Sequence, residues 1–167
     1  MNPPALNVLF LCTHNSARSI LAEATLNHIG RGRFKAWSAG SSPRDKQQPN
    51  PLGLKVLQMA GIGTEGLRSK SWDEFAGPDA PHMDLIITVC DNAAGETCPV
   101  WPGHPATAHW GYADPSALQG TDEEKLEAFR KTLYAIRRRL DLLICLPPEK
   151  LAKARLEAAA RELAEGH

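Results

Sequence analysis

Cys12 and Arg18, five residues apart in Cys12-Thr13-His14-Asn15-Ser16-Ala17-Arg18-Ser19, are the pair in this sequence best suited to chemistry. Five intervening residues let a loop curl until its backbone N–H groups point inward, so Thr13, His14, Asn15, Ser16 and Ala17 read as a cradle for an oxyanion. Arg18 adds a planar guanidinium fork that binds two oxygens of a tetrahedral anion side by side. Inward dipoles, the arginine and the start of a following helix all favour thiolate over thiol, which makes Cys12 a nucleophile at neutral pH. Ser19 offers a hydroxyl donor to the sulfur. The loop lacks glycine and a Lys-Ser/Thr pair, so it is not a nucleotide-binding phosphate loop.

A thiolate that attacks a bound oxyanion must expel an oxygen, and a poor leaving group needs a proton from a positioned acid. Asp114, in Ala113-Asp114-Pro115, is the candidate. Phosphoryl transfer requires nothing further, whereas a reductase needs more thiols, and Cys90 and Cys98 supply them. If the oxyanion centre takes two electrons, a second thiolate attacks the nucleophile's sulfur and a third carries the disulfide outward. A zinc site from Cys90, Cys98, His104 and His109 is the alternative, but the spacing is not the usual short pair and no metal is assigned. Cys145 lies among Leu143, Ile144 and Leu146 and reads as packing.

These residues must be held by strands and helices that alternate. The apolar run ending at Leu11 reads as a buried parallel strand, followed by a helix from Ala17 to Ile29 with Gly30 as its stop. Phe34–Ser38 alternates as a second strand, completing a βαβ unit. Asn50-Pro51 opens a helix that carries Leu54, Leu57 and Met59 and stops at Gly61. Met83–Val89 is the clearest strand and runs straight into Cys90. Ala106–Trp110 reads as a fourth strand, and Thr121-Asp122-Glu123-Glu124 as a capping box for a long helix with Leu126, Phe129, Leu133, Ile136 and Leu140. Pro147-Pro148 should break it, and 149–166 should form a last helix serving packing or partner contact. The fold class expected is α/β, a four-stranded parallel sheet in the order 2-1-3-4 with helices on both faces. In such sheets ligands gather beyond the carboxyl ends of the strands, where Cys12, Cys90 and Asp114 converge.

A chain of 167 residues, 43% hydrophobic and 23% charged, suits one core domain, assigned to 5–146, with 147–167 as a C-terminal helical extension. Nineteen basic against nineteen acidic residues leave no net charge, which argues against nucleic acid or a membrane surface as the main partner. No basic-apolar leader opens the sequence and no apolar run reaches membrane-spanning length, so a cytoplasmic location is expected. There, four cysteines point to redox or nucleophilic chemistry rather than a disulfide framework.

The sequence resembles the low-molecular-weight protein tyrosine phosphatase superfamily and, within it, the arsenate reductases. The likeness runs from about Leu6 to about Cys145, through Cys12 to Ser19, Ser38-Ala39-Gly40, Cys90 with Cys98, and His109-Trp110-Gly111 with Asp114-Pro115. It implies that Cys12 is the nucleophile, Asn15 holds the loop, Ser16 and Arg18 bind the oxyanion, Ser19 supports the thiolate and Asp114 is the general acid. Cys90 and Cys98 fall where thioredoxin-linked reductases keep two shuttle cysteines. Tyrosine phosphatases of this kind usually have a second cysteine where this chain has Ala17, and aromatic residues where it has Ser116-Ala117; both departures favour the reductase. The shuttle pair encloses one residue more than in the best-known thioredoxin-linked form, leaving thioredoxin and glutaredoxin with glutathione open as electron donors. No cofactor is required by this reading, and a potassium ion carried over from some relatives would map onto Asn15, Glu23, Ser38 and Asp73.

The expected activity is reduction of arsenate, a phosphate-like oxyanion, to arsenite. The alternatives are phosphomonoester hydrolysis on phosphotyrosine and an anion-sensing module without chemistry. In the reductive cycle Cys12 forms the arsenate adduct, Cys90 attacks Cys12, and Cys98 attacks Cys90. Because disulfide geometry needs Cα atoms within roughly 7 Å, one residue cannot meet both partners from a fixed position, so the segment between Cys90 and Cys98 must move.

Overall fold

Four parallel strands, β1 (Leu6–Cys12), β2 (Phe34–Gly40), β3 (Leu85–Thr88) and β4 (Ala106–His109), lie in the order β2-β1-β3-β4. The strand that ends at Cys12 is therefore an interior one, as the crossover rule requires. The computed structural model describes residues 5–41, 43, 45–77, 79–89 and 106–146. Expectations for Cys90, Cys98, His104 and the segment 147–167 lie outside the described residues.

Register aligns the carboxyl ends of the strands: Cys12 pairs with Gly40, Leu11 with Thr88, and Thr88 with His109. Successive side chains of a strand point to opposite faces, which divides the core in two. Val8, Phe10 and Cys12 join the main cluster, with Leu21, Val56, Phe129 and Leu133. Leu9 and Leu11 join a second, with Trp72, Phe75 and Met83.

Among the described residues, three α-helices serve the main cluster: α1 (Arg18–Ile29), α2 (Pro51–Met59) and α3 (Asp122–Ile144). α1 is buried around most of its circumference, including Ser19, Ile20, Leu21, Ala22, Ala24, Thr25 and Leu26, so amphipathic periodicity marks it poorly. α2 starts where Asn50-Pro51 predicts: the Asn50 side chain accepts a hydrogen bond from Leu52 N at 2.9 Å, and Pro51 needs no donor in the first turn. Its buried face is Gly53, Val56 and Leu57, leaving Met59 exposed. α3 carries the expected capping box of Thr121 and Glu124, and buries Phe129, Leu133, Ile136, Leu140 and Leu143 at spacings of three and four. On the opposite face of the sheet the described cover includes a one-turn 3-10 helix, Trp72–Phe75.

Two expectations change. α3 ends at Ile144, with Cys145 as its cap, before the prolines are reached. Cys145 is exposed rather than packed. At about 100° per residue, the position two beyond buried Leu143 turns to the other side of the helix. Among the described residues, no helix is long and apolar enough to cross a membrane.

Candidate active site

The polypeptide leaves β1 at Cys12, crosses the loop 13–17 and enters α1 at Arg18. Burial alternates along it: Cys12, Asn15, Ala17 and Ser19 are buried, while Thr13, His14, Ser16 and Arg18 are half-buried. Ala17 is the N-cap of α1 and provides no side-chain cap, and the first turn contains no acidic residue. α2 and α3 are both capped by side chains, through Asn50 and Thr121. The partial positive charge at the start of α1 is therefore not neutralised by its own capping residues and is directed at the loop that follows Cys12.

Asn15 organises this loop from beneath. It is fully buried and adopts φ of 55°, a left-handed conformation that asparagine tolerates better than most residues. Its Nδ2 donates to Ser19 Oγ at 2.8 Å and to Ser38 Oγ at 2.9 Å, and its Oδ1 accepts from Lys70 N at 2.9 Å. The carbonyl of Asn15 accepts from Ser69 Oγ at 2.5 Å. One side chain thus ties the loop to α1, to β2 and to the strap at Ser69-Lys70.

Further ties come from the backbone. Asn50 N donates to Ser16 O at 2.8 Å, Ser41 N to Cys12 O at 3.0 Å and Gly40 N to Lys70 O at 2.8 Å. Gly40 lies directly under the loop: a Cβ there would sit 2.7 Å from Thr13 O, 2.9 Å from His14 C and 3.0 Å from Asn15 N. The glycine is required for close backbone approach rather than for a special φ.

Arg18 is brought to Asp114. Its Nη1 donates to Tyr112 O at 2.8 Å, and its Nη2 lies 3.7 Å from Asp114 Oδ2. Asp114 caps a 3-10 turn, Pro115–Ala117, accepting at Oδ1 from Ser116 N at 2.9 Å and Ser116 Oγ at 2.6 Å. Oδ2 is left facing the guanidinium, and the carboxyl is open to solvent. Tyr112 is held in turn by Arg139 of α3, whose guanidinium carbon lies 4.9 Å from the ring centroid. Arg18 Nε is among the buried polar atoms with no hydrogen-bond partner among the described residues. Buried donors are ordinarily paired, so a guanidinium N–H left over beside an uncapped helix start is a donor that an anion could take.

Cys90 and Cys98, and with them the zinc alternative, lie outside the described residues. Among those described, no group of three or more His, Cys, Asp or Glu could hold a metal ion. Of the four positions for potassium, Asn15, Glu23 and Ser38 are joined by hydrogen bonds, while Asp73 is exposed on the 3-10 helix. Sequence reasoning did not find Ser69, Lys70, Asn50 or Tyr112 as parts of this site. All four act through backbone groups or on backbone carbonyls, which leave no residue-type signature, and Lys70 also stands in a polar stretch without periodicity.

A family model described as low molecular weight phosphotyrosine protein phosphatase matches residues 7–158. The chain belongs to that family. Among its relatives it is 36% identical to an arsenate reductase of Bacillus licheniformis, over 80% of this chain and 91% of that one. It is 35% identical to an arsenate reductase of Bacillus subtilis, with the same coverage. The crystal structure of an arsenate reductase from Archaeoglobus fulgidus superposes with a TM-score of 0.63 at 28% identity, covering 82% of this chain and 98% of the other. The low-molecular-weight phosphatase fold thus carries the Cys12 loop at the carboxyl end of its central strand, in the place the sequence reserved for an anion.

Proposed function

We propose that this protein is a cytoplasmic arsenate reductase. The observation that carries the reading is its likeness to arsenate reductases along 91% of their length, in a chain whose Cys12 faces an uncapped helix start and an Arg18 with an unpaired N–H. Arsenate and phosphate share shape and charge, so the loop binds both; the distinction is that thiols reduce As(V) and not P(V).

In the cycle, the Cys12 thiolate attacks arsenic while loop N–H groups, Ser16 and Arg18 hold the oxygens, and protonated Asp114 gives its proton to the departing oxygen. The Cys90 thiolate then attacks Cys12 Sγ, the S–As bond breaks, and arsenite leaves with the electron pair. Cys98 attacks Cys90 Sγ, which frees Cys12 and moves the disulfide outward. An external dithiol, thioredoxin or glutathione through glutaredoxin, returns the two electrons. Arsenite production with each donor in parallel identifies which one.

Cysteine variants test the order of steps. After arsenate treatment, Cys98→Ser should complete one turnover and trap a Cys12–Cys90 disulfide, and Cys90→Ser should form none. Mass mapping that pairs Cys12 with Cys98 directly, or with Cys145, contradicts the order. Cys12, Arg18 and Asp114 suffice for phosphomonoester hydrolysis, the activity in the family's description. Turnover of an aryl phosphate with no arsenate-dependent oxidation of a thiol donor would therefore replace the reductase reading by a phosphatase one.

A further inference from the structure

Behind the Cys12 loop, on the side away from Asp114, two oppositely charged side chains are buried together. Lys70 Nζ lies 3.8 Å from Glu23 Oε1, with side-chain exposures of 7% and 14%. The ammonium also donates to Arg68 O at 2.9 Å. Glu23 and Lys70 line the wall of a cavity of about 440 Å³ that Trp37, Arg68, Glu74 and Phe75 also border. The other cation at this wall is committed elsewhere: Arg68 makes a two-pronged pair with Glu74, at 2.6 and 3.1 Å. Lys70 is thus the cation paired with Glu23, and Arg68 acts on the carboxyl only through its charge.

The direction of each hydrogen bond from Glu23 through Ser38 and Asn15 to Ser19, in the first turn of α1, is fixed. Asn15 Oδ1 accepts from Lys70 N, so the amide cannot be flipped, and both protons of Nδ2 are spent on Ser19 Oγ and Ser38 Oγ. Ser38 accepts from Asn15, and its own proton goes to Glu23 Oε1. Ser19 likewise accepts from Asn15, so its own proton is not spent on that bond. This polarity requires Glu23 to remain an acceptor. Without a cation, a buried carboxylate takes up a proton and competes with Asn15 as a donor to Ser38.

We propose that the Lys70 ammonium is a resident cation of the active site, which keeps Glu23 an acceptor and so sets the Ser38–Asn15–Ser19 chain to donate toward the Cys12 sulfur without an alkali metal ion. This rests on Cys12 acting as a thiolate nucleophile. The potassium positions implied by resemblance do not fit: Asn15 Oδ1 is occupied by Lys70 N, Glu23 Oε1 by Ser38 and the ammonium, and Asp73 is exposed. Lys70 is a positioning residue, acting through Glu23 and Asn15.

Burial opposes the charged form of both partners. Burial raises the Glu23 carboxyl above its ordinary value, against the opposing pull of Ser38, Lys70 and Arg68. Burial lowers Lys70, helped by the nearby Arg68 charge and against the support of Glu23 and Glu74. A raised carboxyl means that the folded state loses stability as pH rises through the carboxylate range. A lowered ammonium means that it loses stability as pH falls through the ammonium range. Both costs are present at neutral pH, so the double variant Glu23→Gln/Lys70→Met should melt no lower than the parent.

The test follows the rate of Cys12 alkylation by iodoacetamide against pH in a Cys90→Ser/Cys98→Ser/Cys145→Ser background, in sodium and potassium chloride at equal ionic strength. The parent should give the same profile in both salts. Lys70→Gln should shift the profile upward by about one pH unit, slowing alkylation near neutrality about tenfold, while Lys70→Arg stays near the parent. A parent profile that potassium shifts relative to sodium overturns the proposal, and that arm needs no variant at position 70. A Lys70→Gln profile superimposed on the parent's overturns it equally. If Cys12 in the parent does not react near neutrality, it is the nucleophile assignment that fails, and that outcome is distinct from either.

Discussion

Replacing Arg18 by lysine should lower kcat/KM for arsenate by about 10²- to 10³-fold, the range found when one preorganised donor to a developing charge is removed. The guanidinium makes a bond to Tyr112 O, faces Asp114 at 3.7 Å and keeps a buried Nε without a protein partner. A planar fork can serve the carbonyl and an oxyanion at once; a lysine ammonium is a single point on a flexible stem and cannot hold both. Circular dichroism should show the variant folded, so that the loss reads as chemistry. A lysine variant within threefold of the parent would mean that Arg18 does not grip the anion through its fork.

The second large effect is expected from a methyl group. Gly40→Ala places Cβ 2.7 to 3.0 Å from three backbone atoms of the loop, and backbone cannot rotate away as a side-chain tip would. Relief requires β2 and the loop to part, which displaces the N–H groups around the anion. A displacement of about 1 Å costs roughly 10²-fold in rate, and the overpacking destabilises by about 1–3 kcal/mol. Steady-state kinetics and thermal unfolding together check this. An alanine variant with parental activity would show that the loop tolerates movement, contrary to the network around Asn15.

Much of this site was legible because its chemistry is local in sequence. The Cys12–Arg18 spacing, a strand before it and a helix after it lie within 24 residues, and chain connectivity then forces β1 to the interior of the sheet. Asp114 was found through its proline and its place after the last strand, and the structure sets it against Arg18. What escaped was the support. Lys70 reaches Asn15 across 55 positions through its main-chain N–H, and any residue but proline has that donor. Tyr112 engages Arg18 through its carbonyl, which every residue possesses. Cys145 was misplaced for a different reason: apolar neighbours in sequence suggest burial, but Ile144 and Leu146 pack against the core while Cys145 between them faces outward.

The positions that resemblance assigns to potassium overlap the Lys70–Glu23 pair. Asn15, Ser38 and Glu23 are joined by hydrogen bonds, and a buried ammonium of the same chain stands at the carboxylate.

Single turnover of the pre-reduced protein, with arsenate and no electron donor, tests arsenate reduction most directly. Arsenite is separated from arsenate by chromatography, and free thiols are counted before and after the reaction. One arsenite per protein molecule, with the loss of two thiols and none formed by Cys12→Ser, is the expected result. No arsenite from fully reduced protein that still hydrolyses an aryl phosphate would contradict it.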